Sequence, residues 1–234
     1  MNGYGQFCPM ARGSEVVAQK WTPLILREIM SGVHSFNDIH RGVPLVSRSL
    51  LSERLKQMEA DRLLHRRPIA GARYEYHLTA AGEALRPIVA ALGYWAVDHL
   101  SAEVTKDQLD PGFLMWALRM RTDLPSLPEE KVVVRFEFSG VPASRTRLKV
   151  MWMVLERGGA DICAKDPGHP IDLVVKTPIQ LLISVFLGKV SWKEATRQEL
   201  AIEGDRKLVS RFPHWLRLDK LLGHDVHFLH VPRA

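Results

Sequence analysis

An α+β chain in two successive domains is what this sequence predicts, and three observations lead there. The first hundred residues carry capped amphipathic helices followed by two short alternating segments. A polar junction, "SAEVTKDQLDPG", ends in Pro111-Gly112. Beyond it a strict alternation places Val132, Val134, Phe136 and Phe138 on one face of a strand, with further strand and helix signals after it. At 234 residues, 46% apolar and 25% charged, the chain is long enough for each half to bury its own core.

Helical signals open the chain over Pro9 to Gln19. From Trp21 to Ser31 apolar residues recur at Leu24, Ile25, Ile29 and Met30, and Gly32 ends the run. Ser35-Phe-Asn-Asp38 is a capping-box pattern, with the Ser hydroxyl accepting from the amide three residues on and Asp38 reaching back; it opens a short helix to about Arg41. "GVPLVS" turns the chain, and Ser47 caps a helix from Arg48 to Arg62. On that helix Leu51, Leu55 and Met58 form a narrow apolar stripe, while Ser49, Glu53 and Lys56 point the opposite way, flanked by Arg48 and Ser52. "LLHRRP" and "RYEYHL" read as a hairpin joined by "IAGA". Thr79 then caps one long helix to about Leu100, whose stripe of Leu85, Ile88, Val89, Leu92, Trp95 and Ala96 is wider than a small domain needs and suits dimerisation.

In the second half "FLMWALRMR" reads as a helix, "LPSLPEE" as a loop and "KVVVRFEFSGV" as a strand. "RLKVMWMVLERGGADICAK" makes two strands around Gly158-Gly159, and "PIDLVVKT" another. "PIQLLISVFLG" is an apolar helix closed by Gly188, Ser191 to Glu194 is a second capping box, and "ELAIEGDRKLVSRFPHWL" gives strand, turn and helix. The boundaries expected are 1–100 for the first domain, 101–112 for a linker, 113–222 for the second domain and 223–234 for a tail.

Composition excludes several classes. "IDLVVKTPIQLLISVFLG", the longest apolar candidate, is broken by Asp172, Lys176 and Pro178, so no membrane span and no membrane partner are expected. The N-terminus lacks a basic region followed by an apolar core, which points to the cytoplasm. Cys8 and Cys163 match no disulfide or zinc spacing. His224, His227 and His230 lie three apart in a terminal segment, a spacing too weak by itself to indicate a metal, so neither a metal nor a cofactor is expected. No nucleophile-elbow, zincin, dinucleotide or phosphate-loop motif occurs, which speaks against an enzyme. The net charge of +6 is concentrated: from Arg41 to Arg73 eight bases face three acids, as an acidic partner requires.

Cys8-Pro9, "QKWTPLILREIMSG", "SFNDIHRGVPLVSRSLLSERLKQMEADRLL" and "YEYHLTAAGEAL" resemble, in order and spacing, the HxlR family of winged helix-turn-helix transcription regulators over about residues 7 to 100. The resemblance implies a homodimer on double-stranded DNA, with Ser47 to Arg62 as recognition helix, Arg66 to Arg73 as wing, and the first and last helices as dimer interface. It further implies a repressor. Base readout falls to Arg48, Ser49 and Ser52 at the start of the recognition helix. The N-terminal dipole at Ser47 favours a phosphate. Lys20, Arg54, Lys56, Arg66, Arg67 and Arg73 are the expected phosphate contacts; the alternative for Arg54 or Arg66 is pairing with a nearby carboxylate. The resemblance also places Cys8 near the dimer interface, where family members sense oxidants. A lone cysteine is more often a small apolar packing residue.

About Phe113 to Leu222 is similar to the sterol carrier protein type 2-like domain, through "FLGKVSWKEATRQELAIEGDRKLVSRFPHWL" and the strand order. That similarity implies an apolar tunnel for a small apolar ligand, a lipid or acyl chain, lined by Phe136, Phe138, Met151, Met153, Leu181, Leu182, Val185 and Phe186. The same stripe equally suits an ordinary core. Two functions therefore compete: a transcription regulator gated by such a ligand, and a lipid carrier whose winged helix is an interaction module.

Overall fold

The computed structural model describes residues 3–71, 73–100 and 104–218, which form two compact units, before and after residues 101–102. The tail expected at 223–234, with His224, His227 and His230, lies outside the described residues.

The first unit runs α1 (Pro9–Val17), α2 (Thr22–Met30), α3 (Phe36–Gly42), α4 (Arg48–Ala60), β1 (Leu64–Ile69), β2 (Arg73–Leu78), α5 (Ala80–Glu83) and α6 (Arg86–His99). Local chemistry starts the helices. Pro9 and Pro23 sit where a missing N–H is harmless, and the hydroxyls of Ser35, Ser47 and Thr79 accept from the amides of Asp38, Leu50 and Gly82. At α3 the Asp38 carboxylate takes the Ser35 hydroxyl itself at 2.7 Å and Arg41 at 2.8 Å. The apolar faces meet in a core of Ile25, Leu26, Ile39, Leu51, Leu55 and Met58, each at most 2% exposed. β1 and β2 pair antiparallel from Leu64↔Leu78 to Ile69↔Arg73. A bridge between Ser35 and Glu75 and a Tyr76 amide bond to the His34 carbonyl at 2.9 Å tie β2 to the turn before α3.

One expectation is corrected here. The helix expected from Thr79 to Leu100 is two pieces, because Pro87 lacks an N–H and its ring clashes with the carbonyl one turn back. Arg86 braces the break, reaching Glu83 at 2.6 Å and the Met30 carbonyl at 2.9 Å. α6 buries Val89 and Ala90 and leaves Ile88, Leu92 and Trp95 each 52% exposed.

In the second unit β3 (Val132–Ser139), β4 (Val150–Glu156), β5 (Gly159–Cys163), β6 (Leu173–Pro178) and β7 (Ala201–Gly204) form a sheet of order β5-β4-β3-β6-β7. The β3–β6 pair is parallel and the others antiparallel. Against it pack α7 (Pro111–Met120), α8 (Ile179–Phe186) and α10 (Arg206–Trp215), with a single-turn α9 (Trp192–Ala195). The alternation read from β3 is the core face: Val132, Val134, Phe136 and Phe138 are buried with Met151, Met153, Leu173 and Val175. Part of the stretch expected as linker belongs to this unit. Leu109 is buried in its core, and Asp110 caps α7 and pairs with Arg145 at 3.1 Å. Arg121, 5% exposed, donates to the carbonyls of Phe186 and Arg217, both at 2.8 Å, and so joins α7 to the ends of α8 and α10. Among the described residues no helix is long and apolar enough to cross a membrane.

Candidate nucleic-acid interface

The exposed face of α4 and the hairpin after it form the candidate interface. With about 100° per residue, Arg48, Ser49, Ser52 and Lys56 fall within roughly a third of the helix circumference; Ser49 and Lys56 point away from the buried Leu51, Leu55 and Met58, and Arg48 and Ser52 lie between the two arcs. Ser47, Arg48 and Ser49 are exposed, Ser52 is half-buried, and Lys56 is exposed. The Ser47 hydroxyl accepts from the Leu50 amide at 3.3 Å and shares a hydrogen bond with Ser49 at 3.1 Å. Arg48 lies back across the start of α3: its Nη2 donates to Asn37 Oδ1 at 2.6 Å and its guanidinium sits 5.1 Å from the centre of the Phe36 ring.

Arg54, expected as a phosphate contact, sits apart from the other candidates on α4. It lies on the opposite arc of α4, donates to the Gln19 side chain, and lines a cleft of about 750 Å³ with Ser14, Glu15, Glu53 and Gln57. The six-residue step from Arg48 to Arg54 rotates the side chain by about 240°, which removes it from the readout face. Lys20 is exposed and stands 5.4 Å over the ring of Trp21, a residue held in the left-handed region at φ 80°.

The three hairpin arginines differ. Arg66 is engaged: its Nε lies 3.0 Å from Glu59 and its guanidinium 5.4 Å from the Tyr74 ring centre. The Glu59 hydrogen bond raises its pKa further above the ordinary arginine value. Arg67 is exposed and faces Glu75 across the β1–β2 register, while Arg73 is exposed with a long 3.4 Å bond to the Ala70 carbonyl. Arg67 and Arg73 are therefore free to turn toward a phosphate, and Arg66 must first give up a carboxylate.

Sequence reasoning missed a stack of imidazoles at the base of the hairpin. His34 and His77 rings are 4.1 Å apart, and His65 and His77 5.9 Å. His34 Nδ1 lies 2.9 Å from the Tyr76 carbonyl, which can only accept, so Nδ1 carries the proton. His77 bonds Glu75 at 3.0 Å and holds its carboxyl below the usual carboxylate range. Burial pushes the Tyr76 phenol up. The alternation of "HRRPI" and "RYEYH" places His65 opposite His77, and that signal was available; His34 is brought in only by the tertiary fold. Phe36 and Asn37 entered only as the middle of the Ser35–Asp38 capping pattern, and their contact with Arg48 spans a turn that sequence spacing does not reveal.

Cys8 is exposed at the start of α1, and Cys163 is half-buried in β5. Of the eight residues expected to line a tunnel, Phe136, Phe138, Met151, Met153, Leu182 and Val185 are buried within one continuous core, and Leu181 and Phe186 are partly buried against it. Phe136 packs on Phe138 and Phe212, with ring centres 5.9 and 6.1 Å away.

Comparison with known proteins places the first unit. The model of the HxlR-like helix-turn-helix matches residues 16–104. The uncharacterized HTH-type transcriptional regulator YvaP of Bacillus subtilis is 31% identical over 112 residues, which are 47% of this chain and 95% of the relative. The uncharacterized regulator YtfH of Escherichia coli is 34% identical over 96 residues, 40% of this chain and 76% of the relative. The B. subtilis regulator YodB is 30% identical over 92 residues, 38% of this chain and 82% of the relative. Because α2 to α6 carry the match and nearly the whole of one relative aligns, this chain belongs to the HxlR-like helix-turn-helix family.

Proposed function

We propose that this protein is a sequence-specific DNA-binding transcription regulator, a repressor that acts as a homodimer. The observation that carries the reading is the N-terminal part of α4: Arg48, Ser49, Ser52 and Lys56 share one face, and the apolar side of the same helix is locked in the core. Short hydroxyls and a guanidinium at a helix start are what a major groove reads, and Arg67 and Arg73 on the hairpin supply positioning charge at the backbone. Related proteins whose names describe helix-turn-helix regulators support the same role. The dimer rests on α6, where Ile88, Leu92 and Trp95 form an exposed apolar stripe, and on the N-terminal segment, where Phe7 and Met10 are 98% and 76% exposed. Two such stripes covering each other would remove that surface from water.

The second unit is proposed as the sensor, a sterol carrier protein type 2-like domain that takes a small apolar ligand. Its order of strands and helices supports the reading, and the partly exposed Leu181 and Phe186 mark where a ligand would part the core. Gating requires that the ligand bind the DNA-competent and DNA-incompetent states with different free energies, and a difference of roughly 1 to 3 kcal/mol suffices.

Selection from a random duplex library tests the regulator reading. Enrichment of one motif with two-fold symmetric half-sites is expected, and a pool that stays random after repeated rounds would refute it. Native mass spectrometry tests the sensor reading. A dimer carrying a discrete mass that is lost on denaturation is expected, whereas a bare chain that takes up no lipid or fatty acid in a screen would remove the ligand from the account.

A further inference from the structure

The first turn of α4 presents an electrostatic anomaly. The N-terminal end of a helix carries partial positive charge and favours acidic side chains, yet this turn holds no acid and begins with Arg48. The arginine is at the least favourable end of its helix. Two contacts from α3 hold it there. Asn37 Oδ1 accepts from Nη2 at 2.6 Å, and the Phe36 ring lies under the guanidinium at 5.1 Å. Arg48 and Asn37 are both exposed, so neither contact is forced by burial. A guanidinium carries five N–H donors, and Asn37 occupies one of them. The remaining edge keeps the paired donors that guanine O6 and N7 accept.

We propose that Phe36 and Asn37 are positioning residues that pre-organise Arg48 for base readout. This inference rests on the assignment of α4 as the recognition helix. An unrestrained arginine loses rotamer freedom when it docks on a base, and an arginine already stacked and hydrogen-bonded has lost most of it before DNA arrives. The α3–α4 pair therefore contributes to specificity through residues that need not touch a base. The same arrangement explains why the sequence "SFND" places an aromatic and an amide at the first two positions of α3: the helix cap itself needs only Ser35 and the Asp38 amide.

A double-mutant cycle on fluorescence anisotropy tests the proposal, using the duplex obtained by selection, a variant changed at the base pair whose preference Arg48→Ala relaxes, and a scrambled duplex. Asn37→Ala and Phe36→Leu are expected to weaken the selected duplex by about 2- to 10-fold per half-site, the scale of freeing one rotamer-rich side chain. Affinity for the scrambled duplex is expected to change by less than about 2-fold, and in the Arg48→Ala background neither substitution should have a further effect. Asn37→Ala leaves the core untouched, so it reports even if Phe36→Leu fails to fold. If Asn37→Ala costs as much with Arg48 absent as with it present, or weakens selected and scrambled duplexes alike, positioning is overturned while the recognition helix stands. If Arg48→Ala leaves base discrimination intact, both are overturned.

Discussion

Arg67→Ala isolates the electrostatic part of DNA binding. In the free protein Arg67 is exposed on β1, with Glu75 opposite it in register and no hydrogen bond of its own among the described residues, so its removal leaves the fold unchanged. Each phosphate contact contributes about 0.9 to the slope of log K against log salt, so a dimer lacking two Arg67 side chains should lose roughly 1.8 from that slope. Extrapolated from 1 M to about 0.1 M salt, that difference amounts to a loss on the order of 10- to 100-fold in affinity, shared by selected and scrambled duplexes. Arg66→Ala is the internal control. Arg66 already spends its guanidinium on Glu59 at 3.0 Å, so its loss should alter the slope less than the loss of Arg67. Anisotropy titrations of wild type and both variants at four salt concentrations between 50 and 200 mM provide the slopes. Equal slopes for wild type and Arg67→Ala would refute the wing contact. A loss confined to one sequence would mean that Arg67 reads bases.

Three further predictions follow from the first unit. Gly82→Ala should destabilise the fold by at least about 1 to 3 kcal/mol, read by denaturant unfolding, since an added Cβ would stand 2.0 Å from the Leu63 carbonyl oxygen and 3.0 Å from the Leu78 side chain. Leu92→Glu with Trp95→Glu should convert a dimer into a folded monomer in sedimentation velocity and weaken DNA binding with it; a wild-type monomer at micromolar concentration would contradict the assignment of α6. Glu75 has its carboxyl held low by the His77 hydrogen bond, so its contribution to stability is present above the ordinary glutamate value of about 4.3 and disappears as pH falls through the lower folded value. Thermal unfolding of wild type and Glu75→Gln should therefore differ at pH 6 and converge toward pH 3; a gap that persists there would mean that Glu75 acts through packing.

How much of this was legible in the sequence follows from the range of each interaction. Caps at Ser35, Ser47, Thr79 and Ser191 bond an amide three residues on, so short-range pattern sufficed to find them. The same holds for the alternation of β3 and the stripe of Leu51, Leu55 and Met58. The break before α6 was written in Pro87, but the apolar stripe running through it outweighed the breaker. The partners of the cations were not legible. Arg54 meets Gln19 across 35 residues, Arg48 meets Asn37 across 11, and His34 meets Tyr76 across 42, because α1, α3 and the hairpin converge on α4 only once the core of Ile25, Leu51 and Leu55 has formed. Residue type named the candidate contacts, and tertiary packing sorted those facing outward from those tied down.

The claim on which the account turns is that α4 reads sequence. Its most direct test is the ratio of affinities of the wild-type protein for the selected duplex and for a scrambled duplex of equal length, at about 150 mM salt. A ratio of about 10³ or more is expected of a specific regulator, falling toward unity when Arg48, Ser49 and Ser52 are all replaced by Ala. Equal affinities in the wild-type protein would contradict it and leave only a basic surface that binds DNA without reading it.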